Sequence, residues 1–349
     1  MSKNVQHSAA NLNAFNAFEK VFKHLGALDT FFNMHKTLIS TELDLTNNCD
    51  CRCPGCTGIR DTKGTLKFQQ VQKLADELAD VFGAKSIIIS GGGEPLLNPE
   101  FVRILHYIRS KGLKIGLNSN GLSLDETKAR AILECCTYFR VSLDAGSDEM
   151  YLKTHGLKKE KFQKVVDNLR MVSRLKRELG SPTAWGTGFL TGKETLGDIL
   201  PFVKLSKECG VDFAQLRPFT GDFTPIDREF EKAKATYEDA QFKVTASQHK
   251  YARFCDADKR PYGNCRGMFF NTVVTADFRV FACLHHRQKP KYLLGDLNET
   301  TLKQIWESPR IREVYQSIDF CDCPPFCRND DINRGLEYLA KPVNHADFL

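Results

Sequence analysis

The sequence predicts an α/β fold: a partial (β/α)6 TIM-like barrel over residues 39–220, then a small Cys-rich domain of one β-hairpin plus a helix over residues 263–335. Three observations carry this expectation. Short β-rich runs alternate with helical patterns from residue 39 to about 217, as parallel strands joined by crossover helices do. A length of 349 residues sets an expectation of about two domains. After Cys265 the alternation gives way to a hairpin pattern, a helix and a turn rich in cysteine. A doubly wound open sheet would show the same periodicity over the first segment, and the pattern alone does not separate the two.

Within residues 1–38, Leu12, Phe15, Phe18, Phe22 and Leu25 fall on one face of a helix, which reads as an N-terminal helical extension and not as a signal-peptide core. Strands are expected at 40–45, 86–90, 114–119, 139–143, 185–190 and 213–216, with helices at 66–82, 98–112, 125–135, 160–178 and 194–209. Residues 221–262 are dense in charge and read as an exposed helical connector. The second domain contributes a hairpin from 270–274 and 280–283 and a helix from 301 to about 317, and residues 336–349 form a tail.

Hydrophobic residues at 42% and charged residues at 26% exclude disordered, collagen-like and low-complexity classes. The net charge of +6, 49 Lys and Arg against 43 Asp and Glu, is spread without a basic run, so no nucleic-acid partner is expected. No apolar stretch approaches the roughly 18 residues of a membrane span, so no membrane association is expected. With no export signal, the 13 cysteines are expected in a reducing cytoplasm, where thiolates are available as metal ligands.

Directly after the first strand comes Asn47-Asn48-Cys49-Asp50-Cys51-Arg52-Cys53-Pro54-Gly55-Cys56. Cys49, Cys53 and Cys56 stand in C-x3-C-x2-C spacing, and three thiolates on one loop can hold three irons of a four-iron cluster while the fourth stays open. A structural zinc on Cys53, Cys56 and a later pair is the competing metal reading. Inert thiols fit worse, because four Cys in eight residues of polar loop cannot all be packed away. The second strand ends in Ser90-Gly91-Gly92-Gly93-Glu94-Pro95, where glycine lets backbone approach a ligand and an acid can pair with an ammonium. The third ends in Asn118-Ser119-Asn120-Gly121. The fourth ends in Val141-Ser142-Leu143-Asp144, whose Ser142 and Asp144 point the same way from the strand.

Taken in order, these segments resemble the radical S-adenosylmethionine (SAM) superfamily over about residues 40–330. The resemblance implies a [4Fe-4S] cluster on Cys49, Cys53 and Cys56 with exchangeable SAM at its open iron. It further implies SAM contacts from Gly92, Gly93, Glu94, Asn120, Ser142, Asp144 and Arg217, with Thr187, Gly188 and Leu190 bordering the adenine. Ser119 replaces a usual threonine, and Gly55 stands where an aromatic residue is common, so the cover over the adenine must come from elsewhere.

The later cysteines, Cys265, Cys283, Cys321, Cys323 and Cys327, resemble the SPASM/twitch extension of that superfamily. Five suit the shorter form, and the resemblance implies one auxiliary [4Fe-4S] cluster on four of them, Cys265 and Cys283 being the firmest. Cys255 is a further candidate, although its charged surroundings fit a free thiol equally. Cys135, Cys136 and Cys209 lie in helical segments and read as buried small hydrophobes, and Cys51 as a non-ligand. His285 and His286 face the substrate or stand as a surface pair.

The implied activity is reductive cleavage of SAM to a 5'-deoxyadenosyl radical that abstracts hydrogen from the substrate, with the auxiliary cluster accepting or relaying an electron. A one-electron donor such as flavodoxin or ferredoxin is the implied partner. Dehydrogenation is the leading expectation, because a cluster near the substrate provides the electron acceptor an oxidation needs. A small polar sugar or aminocyclitol is the favoured substrate, because the resemblance extends to small twitch-bearing enzymes that act on such molecules and about 38 residues before the first strand are too few for a peptide-binding domain. A peptide-modifying enzyme making a crosslink or epimer is the alternative. A non-catalytic iron-sulfur or zinc interaction protein would not need the polar segments at successive strand ends.

Overall fold

The computed structural model describes residues 38–56, 58, 64–157, 160–252, 254, 260–325 and 327–340. The helix expected in 1–38 and Cys255 lie outside them. Strands β1 (Ser40–Leu43), β2 (Ser86–Ile89), β3 (Lys114–Ser119), β4 (Cys136–Ser142), β5 (Ala184–Thr191) and β6 (Phe213–Pro218) follow the expected order. Each pairs in parallel with the next, as crossover connections require. The crossovers are α1 (Phe68–Asp76), α2 (Phe101–Ser110), α3 (Glu126–Cys135), the pair α4 (Asp148–His155) and α5 (Glu160–Leu179), and α6 (Ile199–Glu208).

The alternation of β2 shows how the layers form. Ile87 and Ile89 are fully buried toward the helices, while Ser86 and Ile88 are half-buried on the opposite face. Helix α2 answers with Phe101, Ile104, Leu105 and Ile108, spaced along one stripe and all buried. Trp185 stacks on Phe139 at 4.7 Å and donates to Ser173 Oγ at 2.9 Å, so its indole N–H is not orphaned by burial.

Three features correct the sequence reading. The connector 221–262 is not purely helical: between α7 (Asp227–Tyr237) and α8 (Gln248–Tyr251) lies β7 (Lys243–Ala246), a seventh parallel strand on β6. Cys136 opens β4 and does not lie in a helix. The predicted C-terminal helix is broken at Ser308-Pro309 into α9 (Leu302–Glu307) and α10 (Pro309–Ser317), because a proline without an N–H is accommodated at a helix start.

The second domain does not form its own sheet. Strand β8 (Asn271–Val274) pairs in parallel with β1, Ser40 opposite Asn271, and β9 (Arg279–Phe281) and β10 (Leu293–Asp296) follow antiparallel. One sheet of ten strands results, ordered β10-β9-β8-β1-β2-β3-β4-β5-β6-β7. Helix α11 (Arg328–Ala340) closes the second domain and runs into the expected tail.

Candidate active site

The first cysteine loop leaves β1 and is clamped from three sides. Gly93 N–H donates to Thr46 O and Glu94 N–H to Asn48 O, both at 2.7 Å. Gly92 has φ +79°, and a Cβ there would stand 2.6 Å from Asn47 Oδ1, so only glycine brings this backbone against the loop. On the second side, Asn120 Nδ2 donates to Asp50 Oδ1 at 2.6 Å and to Cys51 Sγ at 3.1 Å. On the third, Arg52 N–H donates to His155 O at 2.9 Å.

These clamps sort the four thiols. Cys51 is buried and held by Asn120, whereas Cys49 and Cys56 are exposed and Cys53 is half-buried. A carboxylate oxygen of Asp50 lies within 4.8 Å of the Cys49 and Cys51 sulfurs. That carboxylate is already held by Asn120 and by Ser123 Oγ at 2.7 Å. The sulfurs of Cys49 and Cys56 accept N–H bonds from Cys51 at 3.4 Å and Gly58 at 3.2 Å. Backbone donors to sulfur of this kind stabilise ligating thiolates and tune a cluster's potential, so the three outward thiols fit an iron-sulfur cluster.

Glu94 is 2% exposed and works inside this framework. Its carboxylate accepts from Leu96 N–H at 3.0 Å, Ser119 Oγ at 2.7 Å and Asn120 N–H at 2.7 Å. The acid therefore ties the glycine turn to the end of β3 and aims Asn120 at the cysteine loop. Burial pushes its pKa up to about 8 against the pull of those donors.

On the far strands, Ser142 O accepts from His155 Nε2 at 3.1 Å, and Asp144, at φ +47°, accepts from Leu190 N–H at 2.6 Å. The Thr187 side chain is fully buried. Its hydroxyl bonds Ser206 of α6 at 2.7 Å in the helix layer, because alternate residues of β5 face opposite ways and Gly188 and Leu190 share the other face. Arg217 lies beside Gly188 and Arg140. No aromatic residue stands at 55, and the ring of Phe219, just past β6, occupies the place of a side chain there.

The later cysteines divide four to one. Burial, then the charges of Cys327, Cys265 and Cys323, push the Cys283 thiol up, so these four stand within electrostatic reach of one another. Cys321 is exposed, and its thiol answers to Asp319. Asn329 and Asn333 donate to Cys265 Sγ at 3.8 and 3.5 Å, and Asn329 N–H donates to Cys327 Sγ at 3.4 Å. Buried thiols with raised pKa values ionise when a metal centre takes the proton's place, so this set also fits a cluster. His286 is neither at the surface nor free: it is 1% exposed, stacks on Tyr292 at 3.9 Å and places Nε2 3.6 Å from Cys323 Sγ.

A charge network missed by the sequence reading joins the two thiol groups. Arg287 pairs with Asp44 at 2.8 Å and Glu42 at 3.3 Å, and Arg328 pairs with Glu42 at 2.7 Å. Burial raises Glu42, but Arg328 and Arg287 outweigh it and hold the carboxyl below its usual range. Burial wins at Asp44, whose pKa rises to about 6. Both arginines follow a cysteine of the second domain within four residues, which is the one signal the sequence offered.

Comparison with known proteins agrees with this geometry. Residues 43–206 match the radical SAM superfamily and residues 265–329 an iron-sulfur cluster-binding SPASM domain. The chain is 23% identical to a tungsten-containing aldehyde ferredoxin oxidoreductase cofactor-modifying protein of Pyrococcus furiosus, over 77% of this chain and 80% of that protein. It is 24% identical to a PqqA peptide cyclase of Gluconobacter oxydans, over 82% and 80%. Among solved structures, SuiB of Streptococcus suis bound to S-adenosylmethionine superposes with TM-score 0.63 at 13% identity, over 83% of this chain and 70% of that one. The enzyme anSMEcpe with bound AdoMet superposes with TM-score 0.60 at 16% identity, over 84% and 90%. With thiols at the strand ends, a glycine cradle beside them and a second thiol group on the same sheet, the chain belongs to the radical SAM superfamily and carries a SPASM domain, which implies a SAM-binding [4Fe-4S] cluster and an auxiliary iron-sulfur cluster.

Proposed function

We propose that the chain is a peptide-modifying radical SAM enzyme that forms a crosslink or an epimer, with SAM held over Cys49, Cys53 and Cys56 and the auxiliary cluster on Cys265, Cys283, Cys323 and Cys327. The observation that carries this is the PqqA peptide cyclase, a relative aligned across both domains. SuiB with its precursor peptide and anSMEcpe with a peptide share the fold. This reading replaces the sugar or aminocyclitol substrate expected from the sequence, which rested in part on the short segment before β1.

When bound, the reduced cluster and SAM supply a carbon-centred radical able to take hydrogen from an unactivated C–H bond. The chain's own residues do the positioning. Asn120 and Glu94 hold the cysteine loop against the glycine turn, Phe219 covers the face left open by Gly55, and Arg287 and Arg328 lock the second domain onto β1. A cytoplasmic flavodoxin or ferredoxin supplies the electron.

The test is anaerobic reconstitution with iron and sulfide, then dithionite, SAM and short peptides encoded beside the gene. Peptide-dependent 5'-deoxyadenosine, with a loss of two hydrogens or a change in chirality of the peptide, is the expected outcome. Stimulation by aminocyclitols or sugars and not by any such peptide overturns the reading.

A further inference from the structure

We infer that the concave face of the sheet carries a built oxyanion site, formed by Arg140, Arg217 and Lys250, that holds a carboxylate of the substrate. The inference rests on the peptide reading above for the identity of that substrate, and on the following geometry for the site.

Arg140 on β4 and Arg217 on β6 reach over the same residue of the strand between them, Gly188. A Cβ at Gly188 would stand 3.2 and 3.3 Å from Cδ and Nε of Arg140 and 3.4 Å from Nη2 of Arg217. Glycine at that point lets two guanidiniums close over β5, a juxtaposition of like charges that is unfavourable without an anion. Arg140 Nη1 donates to Gln215 Oε1, but Nε of Arg140 and Nε of Arg217 are shut off from solvent and have no acceptor among the described residues. Lys250, from α8, donates its backbone N–H to Ser247 O at 2.8 Å, and its side chain makes no ion pair or hydrogen bond among the described residues. Burial, then the charges of Arg217, Arg328 and Arg140, outweigh the pull of Cys327 and bring its pKa down to about 8.

The neighbouring acids offset this group only in part, with one carboxylate facing three cations. Asp144 is the carboxylate acting on both arginines, and it already accepts from Leu190 N–H. Glu42 and Asp44 are engaged by Arg287 and Arg328. Auxiliary-cluster charge reaches Lys250, which faces Cys327, but it does not account for Arg217, whose favourable partners are Asp144, Tyr138 and Tyr251. SAM's own carboxylate is the other source of this chemistry, because the resemblance also implies SAM contacts from Ser142, Asp144 and Arg217. An α-amino acid brings its ammonium along with its carboxylate, which a group of cations disfavours, whereas a carboxylate on a substrate side chain does not. A side-on Nε–Nη edge offers two parallel N–H donors, which match the two oxygens of a carboxylate.

The experiment uses the reconstituted protein with SAM and reads thermal midpoint against added glutarate, with glutaramide as neutral isostere and sodium chloride at matched ionic strength. Glutarate is expected to raise the midpoint of the wild type, and K250Q and R140Q to weaken its apparent affinity by roughly tenfold while SAM affinity stays within about twofold. If R140Q does not fold, K250Q alone carries the comparison. An equal glutarate response in wild type and K250Q, an equal response to chloride, or tighter binding of inorganic phosphate overturns the carboxylate site. R217Q separates the sources: lost glutarate binding with SAM binding intact supports the inference, and lost SAM binding with the glutarate response intact overturns it. Glutarate binding without turnover of any peptide sinks the peptide reading alone. Peptide turnover that glutarate and K250Q leave unchanged sinks this inference alone.

Discussion

The ring of Phe219 fills the space into which a side chain on Gly55 would project. The two residues are separated by most of the barrel in sequence, and the ring stands where the resemblance would put an aromatic side chain at 55. Phe219→Ala is therefore expected to weaken SAM binding by about tenfold, the scale of one lost aromatic contact. Gly55→Phe alone should clash with Phe219, and the double variant G55F/F219A should recover SAM affinity. Equilibrium binding of SAM to the reconstituted protein reads all three, and an unchanged affinity in F219A would remove Phe219 from the nucleotide site.

The auxiliary ligand set makes a prediction about iron content. Cys321→Ala should retain the full complement, while Cys327→Ala or Cys265→Ala should lose about four irons. Changing Cys49, Cys53 and Cys56 together to Ala should leave about four. Iron and sulfide analysis with absorption spectra decides, and loss of iron in C321A would place that thiol back among the ligands.

Removing Arg287 should leave Asp44 buried without its main partner and Glu42 with Arg328 alone. Arg287→Met is expected to destabilise the fold by about 3–5 kcal/mol, the usual cost of breaking a buried ion pair from one side. A denaturant midpoint close to wild type would contradict the pairing.

Glu94 gives the pH dependence its sign. Its pKa is raised from 4.5 to about 8, so between those values the folded protein holds a proton that the unfolded chain has released. Stability contributed at this position is present at low pH and lost as pH rises, at up to about 1.4 kcal/mol per pH unit. In SAM-free protein, the stability of the wild type relative to Glu94→Gln should fall between pH 5 and pH 8, as read by parallel denaturant titrations. A difference independent of pH would show an ionised Glu94.

The strand-end motifs were legible in the sequence because their chemistry dictates residue type and spacing at once. Cys49, Cys53 and Cys56 must be thiols on one turn, and Gly92 must lack a side chain where the backbone meets Asn47. The strands flanked by apolar alternation were legible for the same kind of reason. What did not show was long-range. Arg287 and Asp44 lie 243 residues apart, and nothing local in either segment marks the pairing. Strand β7 is four residues in a charged stretch, too short for period 2 to emerge. The partition of Cys321 from Cys323 depends on where one short turn points, which spacing does not encode.

The joining of β8 to β1 has a consequence for electron transfer. Ile39 and Ser40 N–H both reach Phe270 O, and Asp44 N–H reaches Val274 O, so the ladder continues from the barrel into the SPASM domain without a hinge. Cys49 follows one of these neighbouring strands, and Cys283 follows the hairpin built on the other. Were an electron to pass between clusters held by these two thiol groups, the gap it crosses would be set by the geometry of one sheet and not by a linker.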